Sequence, residues 1–184
     1  MTTVVYVLLA EGFEEIEALT TVDLLRRAGV AVSMVGVTGT TVSGAHGISV
    51  STDCSIDAFD PDQAEMIVLP GGMPGTRNLY ADDRVKQAVR DCVEKEKYVA
   101  AICAAPSVIL GGMGLLQGKK ATCFPGMEDG MSGAIPLDRN CVVDGRIITG
   151  RAVGGALDFS CALIGALCGA QKAREIADEV VHHA

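Results

Sequence analysis

The sequence predicts an α/β protein in which a mostly parallel sheet carries helices on both faces. Short apolar runs rich in Val, Ile and Leu alternate along the chain with longer stretches of helix-forming residues, as in parallel strands joined by helices. Hydrophobic residues make up 49% of the 184 residues and aromatic residues only 4%, so the core must be aliphatic, as buried parallel sheets are. This length suits a single domain over residues 1–184.

The first third of the chain predicts two buried strands with a helix between them, followed by a hairpin. The run VVYVLL predicts a strand over residues 4–9, and helix-forming residues occupy 14–28 until Gly29 ends the helix. A second strand is expected over 30–37. The stretch TGTTVSGAHGISVSTD, residues 38–53, alternates apolar residues with turn residues, which predicts a short hairpin.

The middle of the chain repeats this alternation. The run EMIVLP predicts a buried strand over residues 65–70, closed by the glycine-rich segment PGGMPG. A charged helix is expected over 82–96. The run YVAAIC predicts a strand over 98–103, and a further helix should begin near Ala104.

The last part of the chain predicts a hairpin and two closing helices. Residues 112–140 are rich in glycine and are expected to be irregular. The stretch CVVDGRIITG, residues 141–150, reads as a hairpin around its Asp-Gly pair. Helices are expected over 154–168 and 171–182.

Charge and cysteine usage exclude several classes of partner. The net charge of −8 argues against nucleic acid and against anionic membranes, and no apolar run approaches the roughly 20 residues of a membrane span. The opening MTTVVYVLLAEGFEE lacks the basic start of a signal peptide, so a cytoplasmic protein is expected. The seven cysteines form no C-x-x-C motif, so neither a metal site nor a redox dithiol is predicted.

Chemistry-bearing residues follow several of the predicted strands. In open α/β sheets the ligand site lies beyond the carboxyl ends of the strands, so these segments are expected to meet in one crevice. They are the acidic run Glu11, Glu14, Glu15 and Glu17, the pair Gly71 and Gly72, the thiol of Cys103, and Arg151.

Cys103 is the candidate nucleophile. It ends a strand in AAICAAPS, where the small residues Ala101, Ala104 and Ala105 permit the sharp strand-to-helix turn of a nucleophile elbow. A thiol at a helix N-terminus is expected to have a lowered pKa. The alternative is a buried structural cysteine at the end of an alanine-rich strand, which is the common role of cysteine in protein cores.

The other candidates are less distinctive. Gly71 and Gly72 can form a plain turn, or can bring backbone amides close to a ligand as in an oxyanion hole. Histidine occurs only at 46, 182 and 183, and the last two are expected to be solvated near the end of the chain. The sequence therefore favours a carboxylate over an imidazole as the partner of the Cys103 thiol.

Helical periodicity narrows the acidic run to two candidates. Glu11 precedes the helix and is expected to be solvated, while Glu14 and Glu15 suit the positive end of the helix dipole. Glu14 and Glu17 lie almost one turn apart and share a face, whereas Glu15 points elsewhere. Periodicity alone does not distinguish Glu14 from Glu17 as the catalytic carboxyl group.

Three segments in order, LLAEGFEEIEALTTVDLLRRAG, IVLPGGMPG and AAICAAPS, resemble the ThiJ/PfpI superfamily, in particular its DJ-one and YajL-like branch. The resemblance extends over nearly the whole chain, and the motifs are specific only in combination. It implies a flavodoxin-like three-layer sandwich, a homodimer and no cofactor. It further implies that Cys103 is the reactive thiol, that Glu17 stays protonated and hydrogen-bonds the thiolate, and that Gly72 and Ala104 offer amides near the sulfur.

The sequence departs from this family at three pocket positions. Protease-like members carry His directly after the nucleophile, where this chain has Ala104, which argues against a protease. Members with glyoxalase or deglycase activity often carry His ahead of a Pro, where this chain has Phe124. His46 stands where some members have an arginine, whereas Arg151 fits the family pattern. The candidates for lining the pocket are Glu14, His46, Phe124 and Arg151.

Two functions of different class follow from the resemblance. The first is a glyoxalase III-type or protein deglycase-type enzyme that acts on 2-oxoaldehydes such as methylglyoxal through Cys103 and Glu17. The second is a sensor of oxidants whose thiol is oxidised to sulfinate with little turnover. A chaperone-like role is a further alternative, and it would not need Glu17.

Overall fold

The computed structural model describes residues 4–182 and has seven strands in one central sheet. The strands are β1 (Val4–Leu9), β2 (Val32–Gly36), β5 (Cys54–Ser55), β6 (Ala64–Leu69), β7 (Tyr98–Ile102), β10 (Cys141–Asp144) and β11 (Ile147–Gly150). Their order across the sheet is β10-β11-β7-β6-β1-β2-β5, and all neighbours are parallel except β10 and β11. The predicted fold class, a mostly parallel sheet in an α/β sandwich, is confirmed.

Helices cover both faces of this sheet. Their bounds are α1 (Glu15–Arg27), α2 (Gly75–Ala81), α3 (Asp83–Glu94), α4 (Ala156–Cys168) and α5 (Ala170–Glu179). Successive residues of β1 point to opposite faces: Leu8 joins the cluster that contains Leu79 and Val89, and Val7 joins the one that contains Leu25 and Phe159. Helices α2 and α3 therefore lie on one face, and α1 and α4 on the other.

Two small pairs of strands lie outside the central sheet. Strands β3 (Thr41–Ser43) and β4 (Ser49–Ser51) form the expected antiparallel hairpin. Strands β8 (Lys120–Ala121) and β9 (Ile135–Pro136) pair in parallel within the region that was expected to be irregular.

Several boundaries differ from the sequence expectation. Helix α1 begins at Glu15, because Glu14 has extended backbone and caps the helix. Helix α2 was not expected, since Gly75 opens it and it has only seven residues. The helix expected near Ala104 is the short helical segment Pro106–Gly111, and α5 ends at Glu179 rather than 182.

The end of the described chain is anchored rather than solvated. The His182 ring contacts a carboxylate oxygen of Asp158 at 2.9 Å, and only 18% of its side chain is exposed. The expectation of a solvated His182 is therefore wrong, while His183 lies outside the described residues. Between Val4 and His182, no helix has both the length and the apolar character needed to cross a bilayer.

Candidate active site

The backbone at Cys103 forms a sharp turn at the carboxyl end of β7. Its φ angle is 65°, in the left-handed region that residues other than glycine rarely adopt. The Cys103 amide donates to the Gly150 carbonyl of β11 at 3.0 Å, and its carbonyl accepts from the Phe124 amide at 2.7 Å. Two neighbouring segments therefore hold the strained turn, and strain of this kind is typical of functional sites.

Gly71 brings the backbone of one strand end against the thiol and a carboxyl group. A Cβ atom at Gly71 would lie 2.5 Å from Cβ of Cys103, 2.6 Å from Oε2 of Glu17 and 3.0 Å from Sγ of Cys103. Oε2 of Glu17 and Sγ of Cys103 are therefore both within 3.0 Å of the position that a Cβ atom of residue 71 would occupy. No side chain larger than hydrogen fits at this position without displacing them.

Glu17 is almost completely buried, with 1% of its surface exposed. Its Oε2 accepts from the Gly71 amide at 2.9 Å, and its Oε1 has no hydrogen-bond partner within residues 4–182. Burial raises the pKa of Glu17 to about 7, the nearby charge of Glu14 adds to this, and the Cys103 side chain and Gly71 amide oppose it. Close to neutral pH, Glu17 is therefore able both to accept and to donate a proton.

The thiol of Cys103 does not have the lowered pKa expected from its position. Burial, followed by the charge and hydrogen bonding of Glu17, raises the pKa of Cys103 to about 12, although the amides of Gly72 and Ala104 act to lower it. The lowering effect of these two amides is thus present but is outweighed. The influence of the Glu17 charge disappears when Glu17 is protonated, so thiolate formation is coupled to protonation of that carboxyl.

Glu14 lies beside the same glycines. Its amide donates to the Gly71 carbonyl at 2.9 Å, and a Cβ atom at Gly72 would lie 2.3 Å from the Glu14 nitrogen. The Glu14 side chain is 12% exposed, and its Oε2 is 3.7 Å from Nδ1 of His46. Glu14 therefore lies against the glycines that follow β6, and His46 lies beside the Glu14 side chain.

Glu15 has a structural role that the sequence pattern did not show. Its carboxylate is buried and accepts from the His46 amide at 2.8 Å and from the Ile48 amide at 3.4 Å. Its Oε2 lies 2.9 Å from Nδ1 of His46. Burial favours a higher pKa, but the hydrogen bonds from His46 and Ile48 outweigh it and lower the pKa of Glu15 to about 2. Only the folded hairpin brings these donors to Glu15, so no local signal could have revealed the contact.

The donor atoms of Glu14, Glu15 and His46 lie within 4.8 Å of one another, which is close enough for a metal ion. Both oxygens of Glu15 already accept hydrogen bonds from the hairpin, however. This arrangement is explained as an anchor for the loop, and we assign no metal to it. Glu11 is exposed, as expected, and accepts from the Ser43 amide of the same hairpin.

Phe124 contacts the elbow through its backbone, whereas Arg151 does not contact Cys103 by a hydrogen bond among residues 4–182. Phe124 donates its amide to Cys103, and 45% of its surface is exposed. The Arg151 guanidinium is paired with Asp138 and lines a cavity of about 220 Å³ together with Cys123 and other residues that do not include Cys103. Arg151 directly follows Gly150, which accepts the hydrogen bond from the Cys103 amide, but its guanidinium is paired with Asp138.

A larger cavity of about 430 Å³ lies near Val5, Tyr98 and Arg146. Neither Cys103 nor Glu17 lines it, and Tyr98 stands at the amino end of β7. The candidate site is therefore assigned from the strained thiol and the buried carboxyl rather than from cavity size.

The fold and the site define a class of protein: an α/β sandwich with a cysteine on a strained turn at the carboxyl end of a central strand. The chain belongs to the DJ-1/PfpI family, whose model matches residues 3–166. Protein DJ-1 homolog B of Arabidopsis thaliana is 35% identical over 94% of this chain, which spans only 40% of that relative.

Two further comparisons bear on structure and activity. The structure named Toxoplasma gondii DJ-1, oxidized, superposes with a TM-score of 0.95 at 32% identity, covering 99% of this chain and 100% of the other. A protein named Deglycase PH1704, from Pyrococcus horikoshii, is 32% identical over 78% of this chain and 87% of its own length. The flavodoxin-like fold expected from the resemblance is confirmed by such neighbours.

Proposed function

We propose that this protein is a cysteine-dependent, cofactor-independent enzyme that acts on reactive 2-oxoaldehydes, either as a glyoxalase III-type lyase or as a protein deglycase-type hydrolase. The observation that carries the proposal is the placement of the Cys103 thiol and the Glu17 carboxyl against Gly71. A relative that is named a deglycase supports the same class of activity.

In the proposed mechanism, Glu17 accepts the thiol proton while Sγ of Cys103 attacks the aldehyde carbon. Glu17 then returns that proton to the resulting oxygen, which the amides of Gly72 and Ala104 stabilise. Glu17 next moves a proton from the former aldehyde carbon to the neighbouring carbonyl carbon through an enediol, which gives a thioester. Water cleaves the thioester, so that one water is consumed and a 2-hydroxy acid is released.

The test is to incubate the purified protein with methylglyoxal and to measure lactate. Cys103→Ala should abolish production, and Glu17→Gln should reduce it by about 100-fold or more, as loss of an acid-base group does. Cys168→Ala, which removes an exposed thiol, is the matched control and should keep full activity. Lactate production that persists without Cys103 would refute the mechanism.

The second candidate is a sensor of oxidants, and the observation that favours it is the oxidised state named for the Toxoplasma gondii relative. In this proposal peroxide oxidises Cys103 to the sulfinate, and a protonated Glu17 stabilises the product by a hydrogen bond. Mass spectrometry after peroxide treatment should find oxygen on Cys103 before it appears on the exposed Cys168. Oxidation of Cys168 first would show that exposure alone decides reactivity.

We also propose that the protein acts as a homodimer in the cytoplasm. All seven cysteines are free thiols, which suits a reducing compartment. Several large apolar side chains remain exposed on the single chain and offer surface for a second copy. Light scattering should give twice the 19.0 kDa mass of the chain, and a mass of one chain would refute the dimer.

A further inference from the structure

The buried Glu15 carboxylate anchors the loop between β3 and β4. Besides its hydrogen bonds to the amides of His46 and Ile48, it fills the space beside Gly44, where a Cβ atom would lie 2.3 Å from the carboxyl carbon. The loop therefore wraps closely around this carboxylate. The only titratable side chain that the loop carries is His46.

This contact fixes which nitrogen of His46 is free. Nδ1 lies 2.9 Å from Oε2 of Glu15, and a carboxylate can only accept a hydrogen bond, so Nδ1 carries a hydrogen. Nε2 then becomes the nitrogen that gains and loses a proton. The groups that face the ring are Glu14 and Glu15 from the start of α1, and together they raise the pKa of His46.

The exposed fraction of the side chain increases from Glu17 through Glu14 to His46. Glu17 is 1% exposed, the side chain of Glu14 is 12% exposed, and the side chain of His46 is 67% exposed. The charge of Glu14 acts on Glu17, and Oε2 of Glu14 lies 3.7 Å from Nδ1 of His46. These three groups form a graded series from the site to the surface.

The proposed reaction needs such a series. Hydration of a 2-oxoaldehyde to a 2-hydroxy acid consumes one water and, at neutral pH, releases one proton when the product ionises. Because the pKa of Glu17 is raised to about 7, above that of a 2-hydroxy acid, the product can leave as its anion with its proton on Glu17, which must then release that proton to solvent before the next turnover. The contacts of Glu17 itself are with Gly71 and the Cys103 side chain, neither of which carries protons to the surface.

We propose that Glu14 and His46 pass protons between Glu17 and solvent, and that Glu15 is the positioning residue that holds His46 with Nε2 free. The inference rests on the proposed oxoaldehyde activity. It assigns a role to His46, whose hairpin position gave no functional signal by itself.

Chemical rescue tests the proton-transfer role. In weakly buffered methylglyoxal assays, His46→Ala and His46→Asn should lower kcat by at least about tenfold with KM unchanged, because a proton-transfer group is lost. Added imidazole should restore kcat. His46→Asn retains a donor toward Glu15, so it separates proton transfer from anchoring of the loop. His182→Ala, which removes a histidine paired with Asp158, is the control and should not respond to imidazole.

Two results separate failure of this inference from failure of the proposed function. No lactate from the wild-type protein would refute the oxoaldehyde activity itself. An active wild type whose His46 variants keep full kcat, or lose it without rescue by imidazole, would overturn the proton route.

The positioning role of Glu15 has a readout that does not depend on turnover. Nitrogen-15 NMR of the His46 ring should show hydrogen on Nδ1 in the neutral form, and Glu15→Gln should lower the His46 pKa. Hydrogen on Nε2, or an unchanged titration in Glu15→Gln, would overturn the assignment.

Discussion

Cys103 and Glu17 form one titrating unit, because each changes the charge that the other experiences. Glu17 is buried beside a backbone amide and a thiol, and no cation opposes its charge among the influences on its pKa. The resemblance to the family implied a carboxyl that stays protonated. Burial raises the pKa of Glu17 to about 7, which favours the protonated form up to neutral pH and suits a general acid-base group.

Gly71→Ala should disrupt this unit without removing either reactive group. The added methyl group would overlap Cβ of Cys103 and Oε2 of Glu17, so the protein should lose about 1–3 kcal/mol of stability, as overpacked sites do. The rate of Cys103 alkylation should fall as well. Urea unfolding and iodoacetamide labelling measure the two effects.

Gly165→Ala is the matched control for Gly71→Ala. Its added Cβ would meet nothing closer than 3.8 Å, and it lies within helix α4, where alanine is the better helix former. It should leave labelling unchanged and should not destabilise the protein. Equal stability and labelling in the two variants would contradict the close approach at Gly71.

Burial of Glu17 should make stability depend on pH. Its pKa is raised from 4.5 to about 7 on folding, so the folded protein binds more protons than the unfolded chain between these values. The contribution of Glu17 to stability should therefore fall as pH rises from about 4.5 to 7, by an amount on the order of 3 kcal/mol, and should then level off.

Urea unfolding across this pH range compares the wild type with Glu17→Gln and Glu94→Gln. The pH dependence should weaken in Glu17→Gln, which cannot ionise, and should persist in the exposed control Glu94→Gln. A Glu17→Gln variant with the slope of the wild type would show that Glu17 is not the group responsible.

At the scale of elements, the hairpin β3–β4 is attached to the segment before α1 at several points. Gly12 donates to the Ser43 carbonyl, Ala45 donates to the Phe13 carbonyl, and the Glu15 carboxylate accepts from the loop. The hairpin therefore covers the start of α1, where Glu14 and Glu17 lie.

Gly44→Ala should loosen this hairpin selectively. Its Cβ would lie 2.3 Å from the Glu15 carboxyl carbon, so the loop must move away from its anchor. Hydrogen exchange should accelerate in residues 41–51 and remain slow in β1 and β6. Gly154→Ala, with nothing within 4 Å of the added atom, should leave the exchange pattern unchanged. Unaltered protection of the hairpin in Gly44→Ala would contradict the anchor.

The apolar strands β1, β6 and β7 could be predicted because each is buried and continuous in sequence. Helix α2 could not, since seven residues that begin with Gly75 carry little periodic signal. The elbow at Cys103 was visible in its small neighbours. The anchor at Glu15 was not, because its donors come from a hairpin some 30 residues further along the chain.

At the scale of the whole molecule, the sheet order explains why the site forms. Strands β11, β7, β6 and β1 are consecutive neighbours and run in parallel, so their carboxyl ends meet at one edge. Arg151, Cys103, Gly71 and the acidic run follow these four ends. The sequence could predict this convergence, but not that Arg151 would pair with Asp138.

Core side chains support the edge of the sheet at which the candidate site lies. Phe159 is fully buried, and a Cβ atom at Gly150 would lie 2.8 Å from both Phe159 and Ile102. Phe159→Ala should therefore cost about 3–5 kcal/mol, as large cavities do. Phe124→Ala, at an exposed aromatic residue, should cost less than about 1 kcal/mol. Similar urea midpoints for the two variants would contradict this account of the core.

The pH dependence of Cys103 alkylation tests the coupling between thiol and carboxyl most directly. Mass spectrometry would follow iodoacetamide labelling of Cys103 in the wild type, in Glu17→Gln and in the control Glu14→Gln. We expect the wild-type rate to rise with an inflection near pH 7, because Glu17 that has lost its own proton can accept the proton of the thiol. Glu14→Gln should keep this inflection at a slightly lower pH, because the Glu14 charge raises the pKa of Glu17. Glu17→Gln should lose the inflection, whereas a wild-type profile in that variant would contradict the assignment of Glu17 as the proton partner of Cys103.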